Sequence, residues 1–198
     1  MKIYPIGAAL FVASLFAGAT ASATVITFDD LVKPGRYGPT TGSGFVDFGF
    51  VFSSNMDALD VSPSGHWWSD GVGNGHSGKY AALNNYGGNM LMTKQGGGTF
   101  SVQDLWLNGW QGASQTDTIV GLLNGNVVGS VTATFSQPWT NFALNFANID
   151  TLRINSATNF LVDDIQVNSA SNGVPEPTSL ALFGLALAGL AVLRRRKA

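Results

Sequence analysis

Across residues 24–173 the apolar positions recur every second residue, with no sign of a 3.6-residue period. Phe142, Leu144 and Phe146 alternate with polar neighbours. So do Val131, Ala133 and Phe135, and Leu152 with Ile154. Alternation of this kind puts one set of side chains on one face of a strand and the other set on the opposite face. Asn124-Gly125 stands between the apolar runs 119–123 and 127–131. Both residues tolerate positive φ, which a type I′ turn requires, so the pair predicts a tight hairpin. Further strands are predicted at 25–28, 45–52, 80–83, 90–93, 100–107 and 160–167, separated by Gly, Asn and Ser. About nine or ten short strands with turn signals between them predict an all-β fold, an antiparallel two-sheet β-sandwich or jelly roll.

The last of these strands breaks its own pattern. Phe160 and Val162 share one face, whereas Ile165 and Val167 have the opposite parity. All four reach the core only if the strand slips by one residue at Asp163-Asp164, which is what a β-bulge does.

The two ends of the chain follow different rules. Lys2, the apolar run 6–19 and Ala21-Ser22-Ala23 have the order of a secretory signal peptide, with Ala21 and Ala23 as the cleavage-site residues and a mature chain starting near Thr24. At the other end an apolar run covers 178–193. As a helix it would be roughly 24 Å long, short of the ~30 Å hydrocarbon core but able to span a thinned bilayer. Pro175 and Pro177 stop any helix from continuing upstream, and the basic tail would stay on the cytoplasmic side. The order Pro175-Glu176-Pro177, apolar helix, then Arg194-Arg195-Arg196-Lys197 resembles the PEP-CTERM sorting signal. The resemblance implies a Gram-negative bacterium that makes extracellular polysaccharide. It also implies passage through the inner membrane, processing by an exosortase-type membrane protease, and a final place at the cell surface or in the extracellular matrix. The expected organisation is a signal peptide (1–23), a β-sandwich domain (24–173) and a sorting signal (174–198).

Composition narrows the middle region. The chain has no cysteine, so disulfides contribute nothing. Half of its ten basic residues lie in the two removable ends, while all eleven aspartates lie in the middle region. An acidic domain argues against a nucleic-acid partner and is compatible with divalent cations.

Several stretches of the domain are candidates for chemistry. The loop SGHWWSDGVGNGHSGKY holds glycines at dinucleotide- and phosphate-loop spacing, but no strand precedes it and no helix follows it. His66 and His76 bracket Asp70 without the spacing of a zinc motif. No Gly-x-Ser-x-Gly elbow accompanies them. Trp67, Trp68, Tyr80 and Trp110 are the candidate sugar-stacking residues, because an indole or phenol face suits a pyranose ring. The phrases TVITFDDL, GGTFSVQDLWLNGW and NFLVDDIQV resemble the β-sandwich domains of many PEP-CTERM proteins, which look like the jelly rolls of carbohydrate-binding modules. In those modules a structural calcium commonly sits where the first and last strands meet. That resemblance points to Asp29, Asp30, Asp163 and Asp164, whose carboxylates suit Ca²⁺. Solvated edge aspartates, or hydrogen bonds from Asp164 to a loop, are the other readings of the same residues.

The expected function is that of a secreted, non-catalytic β-sandwich protein that binds exopolysaccharide. A glycan-active enzyme would need two carboxyl groups flanking a glycosidic bond, and no such pair is evident between the ends. A structural matrix component is the third possibility.

Overall fold

A computed structural model of the protein describes residues 22–31, 36–37, 44–63 and 74–169. Met1 to Ala21, the sorting residues 174–198 and the Trp67-Trp68 pair lie outside the described residues. The expected signal and C-terminal helices therefore lie outside them as well. Among the described residues no helix is long and apolar enough to cross a membrane.

Among the described residues, thirteen strands form two antiparallel sheets. The first sheet is ordered β11(Thr140–Ile149), β8(Phe100–Gly109), β13(Phe160–Ser169), β6(Tyr80–Asn84), β5(Met56–Asp60), β2(Arg36–Tyr37), with β1(Ser22–Ile26) also paired to β13. The second is ordered β10(Asn126–Phe135), β9(Gln115–Leu123), β12(Thr151–Asn155), β7(Met90–Lys94), β4(Phe50–Phe52), β3(Phe45–Asp47). The predicted two-sheet fold and the hairpin at Asn124-Gly125 are both present, and these two residues have φ of 52° and 78°. β1 starts at Ser22 and pairs Ala23 with Asn168, so the strand begins slightly before the expected mature start at Thr24.

Two expectations are corrected. The run 45–52 is not one strand but a hairpin, β3 and β4, which turns at Phe48-Gly49 with both φ positive. The Phe- and Val-rich run hid the turn, because Phe is a poor residue for that conformation. β5 was also missed, because four of its five residues are buried and no alternation remains.

That double burial follows from a second apolar cluster. The main core between the sheets contains Phe28, Phe50, Phe52, Met90, Met92, Phe100 and Phe160. A smaller cluster of Leu59, Val61, Ala81, Leu83 and Leu161 lies on the outer face of the seven-stranded sheet, with Trp110 and Trp139 packed against it.

The parity argument for β13 holds. Phe160, Val162, Ile165 and Val167 are all fully buried in the main core. The register with β8 shifts between Asp163 and Gln166, and Asp164 has φ 45°. β13 also changes its other neighbour there. Leu161 and Val162 pair with β6, whereas Ile165 to Ser169 pair with β1.

Candidate functional site

The bulge in β13 anchors a loop to the outer face of the seven-stranded sheet. Asp163 follows Leu161 on that face and is fully buried. Its Oδ1 accepts from the Asp164 N–H at 2.7 Å and its Oδ2 from the Ser77 N–H at 3.1 Å. Asp164 Oδ1 accepts from the Ser77 hydroxyl at 2.6 Å, and Asp164 Oδ2 pairs with His76 Nδ1 at 2.5 Å. On the other side, Asp29 Oδ1 accepts the N–H groups of Lys79 at 2.8 Å and Tyr80 at 3.1 Å. Trp139 Nε1 donates to the Asn74 carbonyl at 3.0 Å. Residues 74–80 are thus held from several directions. Gly78 sits so close that an added Cβ would lie 1.8 Å from Asp29 Oδ2, and its φ is +51°. The alternative reading of Asp164, hydrogen bonds to a loop, is the observed one.

Burial, and after it the charge of Asp164, push the Asp163 carboxyl up to about 8, against the pull of N–H donors from Ser77, Asp164 and His76. Asp163 therefore holds its proton at neutral pH, and one negative charge fewer lies at the bulge.

The clasp places aromatic rings beside an open cleft. The His76 ring stacks on Trp106 with centroids 3.6 Å apart, and Trp139 meets it edge-on at 6.2 Å. The cleft, about 390 Å³, is lined by Asn74, Gly75, Asn108, Gln137, Pro138 and Trp139. Asn108 is almost wholly buried and its Oδ1 has no partner. The lining is neutral and polar with one indole, which suits a hydroxyl-rich ring. Among the described residues that line it there is no carboxylate, imidazole or hydroxyl nucleophile. Ser77 donates to Asp164 rather than to His76, so the three residues do not form a nucleophilic triad.

The expected site residues separate. Asp29, Asp163 and Asp164 do converge on one loop, whereas Asp30 is exposed. Burial raises the Asp47 carboxyl to about 6, with the charges of Asp30 and Asp29 adding to it. Among the described residues no group of three or more His, Cys, Asp or Glu is placed to hold a metal ion. Tyr80 is corrected as a stacking residue: it is only 9% exposed and packs in the main core, where a ring face is not available. Trp110 is half-buried against the outer cluster near the cleft. His76 pairs with Asp164, 88 residues further along the chain, and Trp106 and Trp139 stand beside it. The odd parity of β13 was the one local signal for any of this.

Residues 173–197 match the PEP-CTERM protein-sorting motif, which implies a secreted protein processed by an exosortase. No curated protein matches the chain in sequence. Among solved structures, a peptidoglycan O-acetylesterase is similar over 69% of this chain and 34% of its own, at 20% identity and TM-score 0.41. The chain thus spans about a third of that enzyme. The C-terminal family 22 carbohydrate-binding module of Clostridium thermocellum Xyn10B is similar over 76% of this chain and 94% of its own, at 11% identity and TM-score 0.40. TmCBM61, solved with β-1,4-galactotriose, is similar over 67% of this chain and 97% of its own, at 14% identity and TM-score 0.36.

Proposed function

We propose that the protein is a non-catalytic glycan-binding module, carried through the inner membrane of a Gram-negative bacterium and released to the cell surface or matrix, where its cleft binds exopolysaccharide. The observation that carries this reading is the cleft itself: a neutral polar lining with Trp139 at its wall and His76 stacked on Trp106 beside it. An indole face and amide side chains recognise pyranose rings through stacking and hydroxyl hydrogen bonds. Among the described residues the lining offers no general acid and no nucleophile, which favours binding over turnover. The sorting motif supports delivery to the place where exopolysaccharide accumulates.

Two measurements test it. Protein recovered from the medium is expected to lack residues 180–198 by intact mass, and a full-length C-terminus would overturn the processing. A panel of exopolysaccharide fractions and neutral oligosaccharides is expected to show binding without product release. Turnover would point to an enzyme, and silence on both counts to a structural matrix role.

A further inference from the structure

The six-stranded sheet carries a row of aliphatic and threonine side chains across its outer face, exposed at its two ends. Successive registers pair Val46 with Val51, Val51 with Thr93, Thr93 with Thr151, Thr151 with Leu122 and Leu122 with Val127. One row therefore crosses all six strands, and it holds only valine, threonine and leucine. It faces away from the core, since Phe45, Phe50, Phe52, Met92 and Leu152 on the same strands point inward. Val46 and Val51 are exposed, as are Val127, at 56%, and its neighbour Val128.

The row ends beside the turn at Phe48-Gly49. Phe48 has φ 44° and is 42% exposed. A bulky residue is strained in the left-handed region, where Asn or Gly would make the same turn readily. Strain at an exposed aromatic, next to exposed valines, marks a contact surface. Of the carboxylates at this end, Asp30 is exposed and acts on Asp47, and the other two are engaged or covered. Asp47 is buried, and Asp150 accepts from the Asn124 N–H and the Thr151 hydroxyl. Lys94, opposite Phe50, supplies a cation there.

The course of the chain identifies the occupant. Ser169, the last residue of β13, is opposite Phe100, whose ring lies 5.0 Å from that of Phe50. The Phe48 turn and the exit of the chain toward the sorting motif thus share one end of the sandwich. From Ser169 to the apolar run at 178 an extended chain reaches at most about 30 Å. The cleft lies at the opposite end of β13, where Phe160 pairs with Gly109.

We infer that the Phe48 end of the sandwich is a lipid-facing surface. While the sorting segment is attached, Phe48, Val46, Val51, Val127 and Val128 enter the interfacial zone of the membrane. The short tether raises their local concentration at the lipid, and the cleft is held pointing away from it.

The chain has no cysteine, so single-cysteine labelling tests this directly. The full chain carrying Phe48→Cys, Val127→Cys or Gln111→Cys is labelled with an environment-sensitive fluorophore. It is then reconstituted in phosphatidylethanolamine and phosphatidylglycerol vesicles with nitroxide-bearing acyl chains. Labels at 48 and 127 are expected to be quenched several-fold more than the label at 111, which sits in the turn beside the cleft. They should also be protected from aqueous iodide. Equal lipid quenching at all three positions overturns the inference. So does protection from iodide without lipid quenching, which would assign the face to a protein partner or a second copy. Positions 48 and 127 lie on different strands, so a folding defect in one variant leaves the other to decide.

Discussion

At the cleft end of β13, the aspartates of the bulge are paired. Asp163 and Asp164 hold residues 74–79 against the sheet, and aromatic rings cover the outer cluster. At the exit end the surface is of another kind: Asp47 is buried, and valines and Phe48 face outward. One strand joins both ends, and its bulge at Asp163-Asp164 is where the construction changes. The contrast teaches that a sandwich core sets the frame, while the outer faces of its two sheets can be given unrelated tasks.

The largest expected effect comes from breaking the clasp. Asp163→Ala leaves the buried N–H groups of Ser77 and Asp164 without an acceptor, which costs about 3 kcal/mol. A melting curve should show Tm lower by roughly 10 °C. Asp163→Asn keeps an acceptor for only one of these two N–H groups and turns its NH2 toward the other, so it should cost about 2 kcal/mol, less than the alanine. Equal losses in both variants would remove the neutral-carboxyl account.

Next comes Gly78→Ala, whose Cβ would meet the Asp29 carboxylate at a positive φ. It should destabilise by about 2 kcal/mol, read from denaturant unfolding.

The pH dependence sharpens the same point. Asp163 keeps its proton to about 8 in the folded state and loses it near 3.8 when unfolded. Between these values the native state binds more protons, so this group's stabilisation is complete below the lower value and is lost as pH rises through the upper one. Asp47, raised to about 6, adds to the slope in the lower part of the window. Tm should therefore fall from pH 6 to pH 8 in the unmutated protein, and less so in Asp163→Asn.

How much of this was legible in the sequence depended on whether each signal was local. The parity break in NFLVDDIQV and the Asn124-Gly125 pair lie within a few residues, and both gave correct geometry. The pairing of His76 with Asp164 spans 88 residues, and no alternation encodes it. β5 and β6 lost their alternation because the Trp110 and Trp139 cluster buries their second face. The Phe48 turn was hidden because its residue contradicts local preference, which is what a functional constraint produces.

Two smaller effects probe each end. Phe48→Asn should relieve the strained φ and raise stability by about 1 kcal/mol, while reducing lipid contact. At the clasp, N–H and hydroxyl donors already engage Asp29, Asp163 and Asp164. Melting in millimolar Ca²⁺ and in EDTA should therefore agree within about 1 °C. An occupied calcium site at hundredfold excess would instead add about 2.7 kcal/mol, and a shift of that size would restore the ion.

The central claim is that the cleft end binds glycan, and calorimetric titration of the released protein with the producing cells' exopolysaccharide tests it most directly. The unmutated protein and Phe48→Asn should bind alike. Trp139→Ala should bind about tenfold more weakly, since loss of an aromatic contact is worth roughly 1.4 kcal/mol. No binding by the unmutated protein, or undiminished binding by a folded Trp139→Ala variant, would contradict the account.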